Sequence, residues 1–222
     1  MYSSGTRLSD IIFKDFTVIP VLNRFGISLG VGDETIESAA RHAGISVWFI
    51  LDILNDTDSP IDPMTGFSLS ADEIERAVKY LEDANQWLSS TALPNIERHF
   101  RALHDRSTEK SNNLEFLWRF FQELKYELLS RIDRDSQILF PAVRKIICDS
   151  QEYLMEGIFE ENSVEEKVDD LASFFVVHLR GDYDRNLSMA VVTSLIVLDR
   201  EVKRSNRLRA RLVNQLSYRS PH

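Results

Sequence analysis

The stretch LLSRIDRDSQILFP, residues 128–141, decides the fold, because it lies in a long amphipathic helix whose apolar stripe also carries charges. Apolar residues recur at the three- and four-residue spacing of a core-facing helix, at Leu117, Phe121, Leu124, Leu128, Ile138 and Val143. The same spacing places Arg131 and Asp135 on the buried face. An ionised side chain in an apolar core costs several kcal/mol unless it is paired or metal-bound. The stretch therefore predicts a polar site inside a helical core, the alternative being a slight helix rotation that brings both side chains to solvent.

Three further long helices accompany this one. The first begins at the capping box of Ser70 and Glu73, runs to about Leu103 and should kink at Pro94. Of the other two, one is predicted to start at Ser163, or earlier near Gln151, and one to run over about 185–216, while the helix of the opening stretch is predicted over about 114–148. Long helices with short connections predict an all-α, up-down-up-down four-helix bundle over residues 70–218.

A small helical N-terminal domain, residues 1–56, precedes the bundle, and a linker rich in Pro, Gly, Asp and Ser, residues 57–69, separates the two. Within the N-terminal domain, the segment TIESAARHAGISVWFILDIL, residues 35–54, has the pattern of a helix-turn-helix. The DNA-binding version needs polar and basic side chains on its second helix. Here the second helix is almost wholly apolar, which predicts that it packs against the rest of the protein and does not recognise DNA bases.

Composition narrows the class of protein. The 222 residues contain 26 Lys and Arg and 35 Asp and Glu, and the net charge of -9 disfavours a surface built for nucleic acid or anionic lipid. No apolar run is long enough to cross a membrane, and the start lacks the apolar stretch of a signal peptide. Cys148 is the single cysteine, which excludes an internal disulfide and a Cys-rich metal site. These features predict a cytoplasmic protein without a membrane partner.

Several polar residues share the core-facing stripes of the predicted bundle: Asn85, Arg131, Asp135, Glu161 and Glu165, with Glu201 as a candidate from the fourth helix. Di-iron sites in helical bundles are built from carboxylates that converge from four helices. Arg131, however, is a permanent cation that cannot donate a lone pair to a metal, and no His lies at this level. Arg131 paired with Asp135, Glu161 or Glu165 is the self-contained alternative.

The chain resembles the hemerythrin-like repair-of-iron-centres proteins over most of its length, from about Leu8 to Val213. The segment FGISLGVGD, residues 25–33, is similar to a motif of their short N-terminal domain. The segments YLEDANQWLSSTALPNIE (80–97), FFQEL (120–124) and ILFP (138–141) are similar to parts of their bundle. The resemblance implies a di-iron bundle that acts in the repair of damaged iron–sulfur clusters.

The residues that would carry this activity differ from the family pattern. The family's histidines fall on Asn85, Arg131, Glu161 and, within a residue or two, Glu201. Its two glutamates fall on Asp135 and near Ser205, and Gly30 and Val31 stand where it has two adjacent cysteines. The comparison therefore implies an inherited fold without the usual metal ligands.

A basic stripe runs along the last helix through Arg200, Arg204, Arg207 and Arg211. It is either a solvated face that compensates acidic neighbours or a docking surface for an acidic partner or nucleic-acid phosphates.

Together these features predict a non-catalytic, metal-free hemerythrin-like protein without a cofactor, with a regulatory or protein-interaction role linked to the stress response. One alternative is a di-iron protein of iron–sulfur cluster repair or of the oxidative and nitrosative stress response. Another is a nucleic-acid-associated regulator that uses the basic stripe. The protein partner is not identified by the sequence, and self-association stays open.

Overall fold

A computed structural model describes residues 1–55, 70–107, 112–149 and 164–218. All regular structure in these ranges is helical, apart from an isolated antiparallel bridge between Arg7 and Thr35. The prediction of an all-α protein is therefore confirmed for this part of the chain. None of the helices in it combines the length and apolar character that crossing a membrane requires.

Four short helices form the N-terminal unit, residues 1–55: α1 (Leu8–Lys14), α2 (Ile19–Arg24), α3 (Ile36–Ala43) and α4 (Val47–Asn55). The Thr35 side chain caps α3 by accepting from the Ser38 N–H, and Gly44 ends that helix at φ 66°. As predicted, α4 packs: Phe49, Ile50 and other apolar side chains are buried.

The remaining helices form what we call the helical body: α5 (Ala71–Trp87), α6 (Leu93–Arg106), α7 (Asn112–Arg134), α8 (Phe140–Asp149), α9 (Val164–His178) and α10 (Arg185–Tyr218). The capping box of Ser70 and Glu73 is present at the start of α5, as predicted. A five-residue π-helical segment, Leu88–Ala92, joins α5 to α6. A second one, Asp135–Leu139, joins α7 to α8.

Each π segment has a proline just beyond it, at Pro94 and at Pro141. Proline has no N–H to donate, and its ring collides with the carbonyl four residues earlier in an α-helix. Widening the preceding turn relieves this collision, and the N–H groups of Leu93 and Phe140 bond to carbonyls five residues back. The helix predicted to kink at Pro94 therefore continues beyond this proline, and a π segment directly precedes it.

The second π segment changes which residues are buried. A continuous α-helix would bury Ile138, as the sequence stripe predicts, but Ile138 is 53% exposed and Leu139 only 2%. The wider turn of the π segment brings Ile138 to the surface and Leu139 into the core. The predicted core position Ile138 is therefore wrong, whereas Val143 is buried as expected.

Packing joins the long helices in a ring of neighbours, because α10 lies against α9 and α6, and α7 lies against the same two helices. The interior contains two hydrophobic cores. One lies among α6, α7, α9 and the first half of α10. The other is shared by the N-terminal unit, the start of α5, α8 and the end of α10.

The N-terminal unit therefore has no separate core, since Ile11 and Ile50 lie in the same cluster as Leu81 and Leu212. The linker predicted at residues 57–69 lies outside the described residues. The change from one core to the other occurs within the long helices and does not coincide with the predicted domain boundary.

Candidate functional site

A layer of buried polar side chains separates the two cores. It lies between Leu81 of α5 and Leu88 of the first π segment, and between Leu128 of α7 and Leu139 of the second π segment. We call it the polar layer; its members with an exposed fraction of 6% or less are Asn85, Arg131, Asp135, Glu201, Ser205 and Arg209. The sequence prediction that Arg131 and Asp135 point inward is confirmed, since each is 1% exposed.

Asp135 is held by two residues from other helices. Arg209 donates from Nη2 to Oδ1 at 2.5 Å, and Asn85 donates from Nδ2 to Oδ2 at 3.1 Å. Burial lowers the pKa of Arg209, and Asp135 opposes that shift. The cation that neutralises Asp135 is therefore Arg209 of α10, and the predicted direct pairing of Arg131 with Asp135 is wrong.

Arg131 instead contacts a neutral side chain. Its Nη1 donates to Oδ1 of Asn206 at 2.5 Å, and Nδ2 of Asn206 donates to Oε2 of Glu165 at 3.0 Å. Nε and Nη2 of Arg131 are buried and find no hydrogen-bond partner among the described residues. Burial and then the charge of Arg209 lower the pKa of Arg131 to about 10, against the opposing effects of Asp135 and Glu165. Arg131 is thus a buried cation joined to Glu165 only through an amide.

Glu201 is the second fully buried carboxylate of the layer, and its cation comes from the N-terminal unit. Arg24 at the end of α2 donates from Nη1 to Oε1 of Glu201 at 2.7 Å and to the Tyr80 hydroxyl at 3.0 Å. The guanidinium also lies over the rings of Tyr80, at 5.1 Å, and Trp87, at 5.6 Å. Burial lowers the pKa of Arg24, but Glu201 and Tyr80 raise it by more.

Two arginines of the basic stripe also bind the N-terminal unit. Arg204 is 3% exposed and donates to the Thr17 carbonyl at 2.8 Å, to Oγ1 of Thr17 at 3.1 Å and to Oδ2 of Asp15 at 3.2 Å. Arg211 is half-buried against Asp52 of α4. The prediction of an exposed stripe is therefore wrong at Arg204, because the N-terminal unit covers it, whereas Arg200 and Arg207 are half-buried.

The sequence alone did not lead to Arg24 or Asn206, nor did it connect Arg209 with Asp135. A signal for Arg209 existed: Glu201, Ser205 and Arg209 follow one another at four-residue spacing, which places them on one face of α10. No local signal marks Arg24, because its partner lies 177 residues away.

The residues at the family's ligand positions do not fit a di-iron pair. Asp135 and Glu201 are each bonded to a guanidinium, and Arg131 has no lone pair to give a metal. Glu165 is half-buried and bonded to Asn206, and Glu161 lies outside the described residues. Within the ranges that the structure covers, no three His, Cys, Asp or Glu side chains are placed to hold a metal ion.

Comparison of the chain with family models, with curated proteins and with solved structures finds no match.

Proposed function

We propose that this protein is a non-catalytic, metal-free member of the hemerythrin-like four-helix bundles, with an up-down-up-down arrangement of its long helices and a regulatory or protein-interaction role. The observation that carries the proposal is the pairing of both fully buried carboxylates of the polar layer with arginines, Asp135 with Arg209 and Glu201 with Arg24. In a metal-binding bundle such carboxylates face the ion. Here a guanidinium supplies the positive charge.

The electrostatics support this role for the arginines. A buried carboxylate needs a partner of opposite charge, either a metal or an arginine. The Arg209–Asp135 and Arg24–Glu201 distances of 2.5 and 2.7 Å are those of charge-assisted hydrogen bonds. A metal ion would have to displace a buried guanidinium from each of these carboxylates.

An exposed apolar surface supports a protein-interaction role. Phe116 of α7 is 53% exposed and its ring lies 5.8 Å from that of Phe174 on α9, while Val176 and Val177 are 71% and 67% exposed. Exposed apolar side chains that lie together on a surface, as those of Phe116 and Phe174 do, are typical of surfaces that bind another protein.

The nucleic-acid alternative has less support, because Arg204 is buried on Thr17 and Arg211 contacts Asp52, which leaves fewer cations of the stripe to meet phosphates.

Metal analysis of the whole protein tests the proposal. We expect substoichiometric iron by plasma mass spectrometry in protein produced with added iron and purified without chelator. The matched variant Arg209→Met removes the cation from Asp135, so any gain of iron in that variant alone supports the view that Arg209 takes the place of a metal. About two irons per chain in the wild type, as in a di-iron bundle, would overturn the proposal.

A further inference from the structure

A row of aromatic side chains lies on the surface where α7 meets α9. The ring of Phe116 lies 5.8 Å from that of Phe174 and 6.4 Å from that of Phe120. Phe116 is 53% exposed, and Val177, one turn beyond Phe174 on α9, is 67% exposed. Phe120 and Phe174 are only partly buried against the core beneath them. The row therefore keeps apolar surface that a further molecule can cover.

Two acidic side chains lie beside this aromatic row. The two helices run antiparallel and meet again further along, where Lys167 of α9 pairs with Glu127 of α7. On α7, Glu123 lies four residues before Glu127, which is the spacing of side chains on one helix face. On α9, Asp170 lies three residues after Lys167 and four before the phenylalanine of the row. Glu123 and Asp170 are exposed and therefore lie between the aromatic row and the ion pair.

These two carboxylates carry charge that the protein itself does not neutralise. Over the same length of α7 and α9, each cation is already paired: Arg119 with Glu115, Lys125 with Glu97 and Lys167 with Glu127. In the part of the chain that the structure describes, no hydrogen bond or ion pair reaches Glu123 or Asp170. The surface is thus apolar at one end and negatively charged next to it.

We infer that this surface, which we call the α7–α9 face, binds a basic amphipathic helix of another protein. Apolar side chains of that helix cover the aromatic row, and its Lys or Arg side chains meet Glu123 and Asp170. Glu123 follows Phe116 by seven residues, or about 10 Å of helix, so the partner's basic residues lie about two turns from its apolar ones. An acidic segment would be repelled by both carboxylates. The inference rests on the proposed protein-interaction role and names the chemistry of the partner.

Three synthetic helical peptides of about 15 residues test the inference on the full-length protein. The basic peptide carries Leu and Phe in its first two turns and Lys in the next two, on one face, with Ala elsewhere. The acidic peptide has Glu in place of each Lys, and the scrambled peptide has the composition of the basic one. We expect saturable binding of the basic peptide by fluorescence anisotropy, and roughly tenfold weaker binding of the other two. Equal affinity of the basic peptide and either of the others would overturn the inference.

Paired substitutions then test the acidic part of the face. Glu123→Gln with Asp170→Asn should weaken the basic peptide roughly fivefold at low salt, since two exposed charge contacts are lost. The matched control is Asp10→Asn with Asp72→Asn, which removes the same charge from exposed positions of α1 and α5 and should change nothing. An equal loss in the two double variants would mean that the acidic protein attracts the peptide without a site, and would overturn the inference.

Phe116→Ser tests the aromatic row. It should weaken the basic peptide about tenfold, whereas Phe13→Ser, the same change at a 91% exposed ring of α1, should not. Sedimentation without peptide tests the other occupant, a second copy of the chain. A wild-type dimer that Phe116→Ser dissociates and that excludes the peptide would overturn the inference and leave the interaction role in place. The iron analysis does not depend on the peptide, so the metal-free state stands or falls separately.

Discussion

Arg209 and Asp135 lie 74 residues apart in the sequence and form a buried ion pair of 2.5 Å between α10 and the π segment after α7. Arg209→Met would leave the carboxylate of Asp135 buried with only Asn85 to donate to it. We expect the free energy of unfolding to fall by about 3 to 5 kcal/mol, measured by urea denaturation, because an unpaired buried charge is costly. The double variant Arg209→Met with Asp135→Asn should recover part of the loss.

The control for this variant is Arg41→Met, which makes the same chemical change in an exposed pair with Glu37. There the loss should stay below about 1 kcal/mol. If Arg209→Met also lowered the free energy of unfolding by less than about 1 kcal/mol, the buried pair would not stabilise the polar layer.

Replacement of Arg131 should affect the free energy of unfolding in a different way from replacement of Arg209. It is a buried cation with a neutral direct partner, and two of its guanidinium nitrogens, Nε and Nη2, have no hydrogen-bond partner among the described residues. Arg131→Met should therefore be neutral, or stabilising by about 1 kcal/mol or more in urea denaturation. A loss comparable to that of Arg209→Met would show that the indirect link through Asn206 to Glu165 is a strong one.

The pH dependence of the same variant follows from the lowered pKa of Arg131. A cation whose folded pKa of about 10 lies below its ordinary value destabilises the fold while it is charged in both the folded and the unfolded state. The stability difference between Arg131→Met and the wild type should thus be constant from about pH 6 to pH 9 and shrink as the pH rises above about 10, because the unfolded state then binds more protons than the folded one. A difference that changes between pH 6 and pH 9 would contradict this assignment.

Glu201→Gln tests the attachment of the N-terminal unit. The change removes the charge that Arg24 meets inside the protein, and we expect a loss of roughly 3 kcal/mol. Amide hydrogen exchange should also accelerate in α1 and α2, because Arg24 belongs to that unit. The control is Asp83→Asn in the exposed pair with Lys79. Unchanged exchange in α2 would mean that this pair does not hold the unit in place.

Arg144 joins α8 to α5 at the protein surface. It donates to Glu82 at 2.7 Å and to Glu75 at 2.8 Å, and its hydrogen bond to Glu82 is the main cause of the lowered pKa of that carboxyl. A lowered carboxyl pKa stabilises the fold above the ordinary value of 4.5, and this contribution is lost as the pH falls through the lowered pKa. Arg144→Gln should therefore lose less stability than the wild type on acidification from about pH 5 to pH 3, by at most about 1 kcal/mol. An equal loss of stability in the variant and the wild type over this pH range would refute this prediction.

Some of this architecture could be read from the sequence. The capping box at Ser70 locates the start of α5, and the spacing of Leu124, Leu128, Arg131 and Asp135 fixes the buried face of α7, because both signals depend only on residues within a few turns. Periodicity fails at Ile138 because it assumes a constant number of residues per turn, and the π segment breaks that assumption.

The partners within the polar layer could not be read in the same way. Which cation meets Asp135 depends on the rotation of α10, and Arg131 and Arg209 both carry suitable charge. Arg24 reaches Glu201 only because the N-terminal unit packs on the helical body, and a contact between units leaves no periodic pattern in either one.

The π segment also makes the direction of α8 tolerant of a change in the number of residues. Its wide turn holds one residue more than a turn of α-helix. Loss of the exposed Gln137, within Asp135–Leu139, would remove that extra residue, and Val143 would stay in the core that it shares with Leu139. The same loss of one codon in the middle of α7 would turn every later residue of the helix by about 100°.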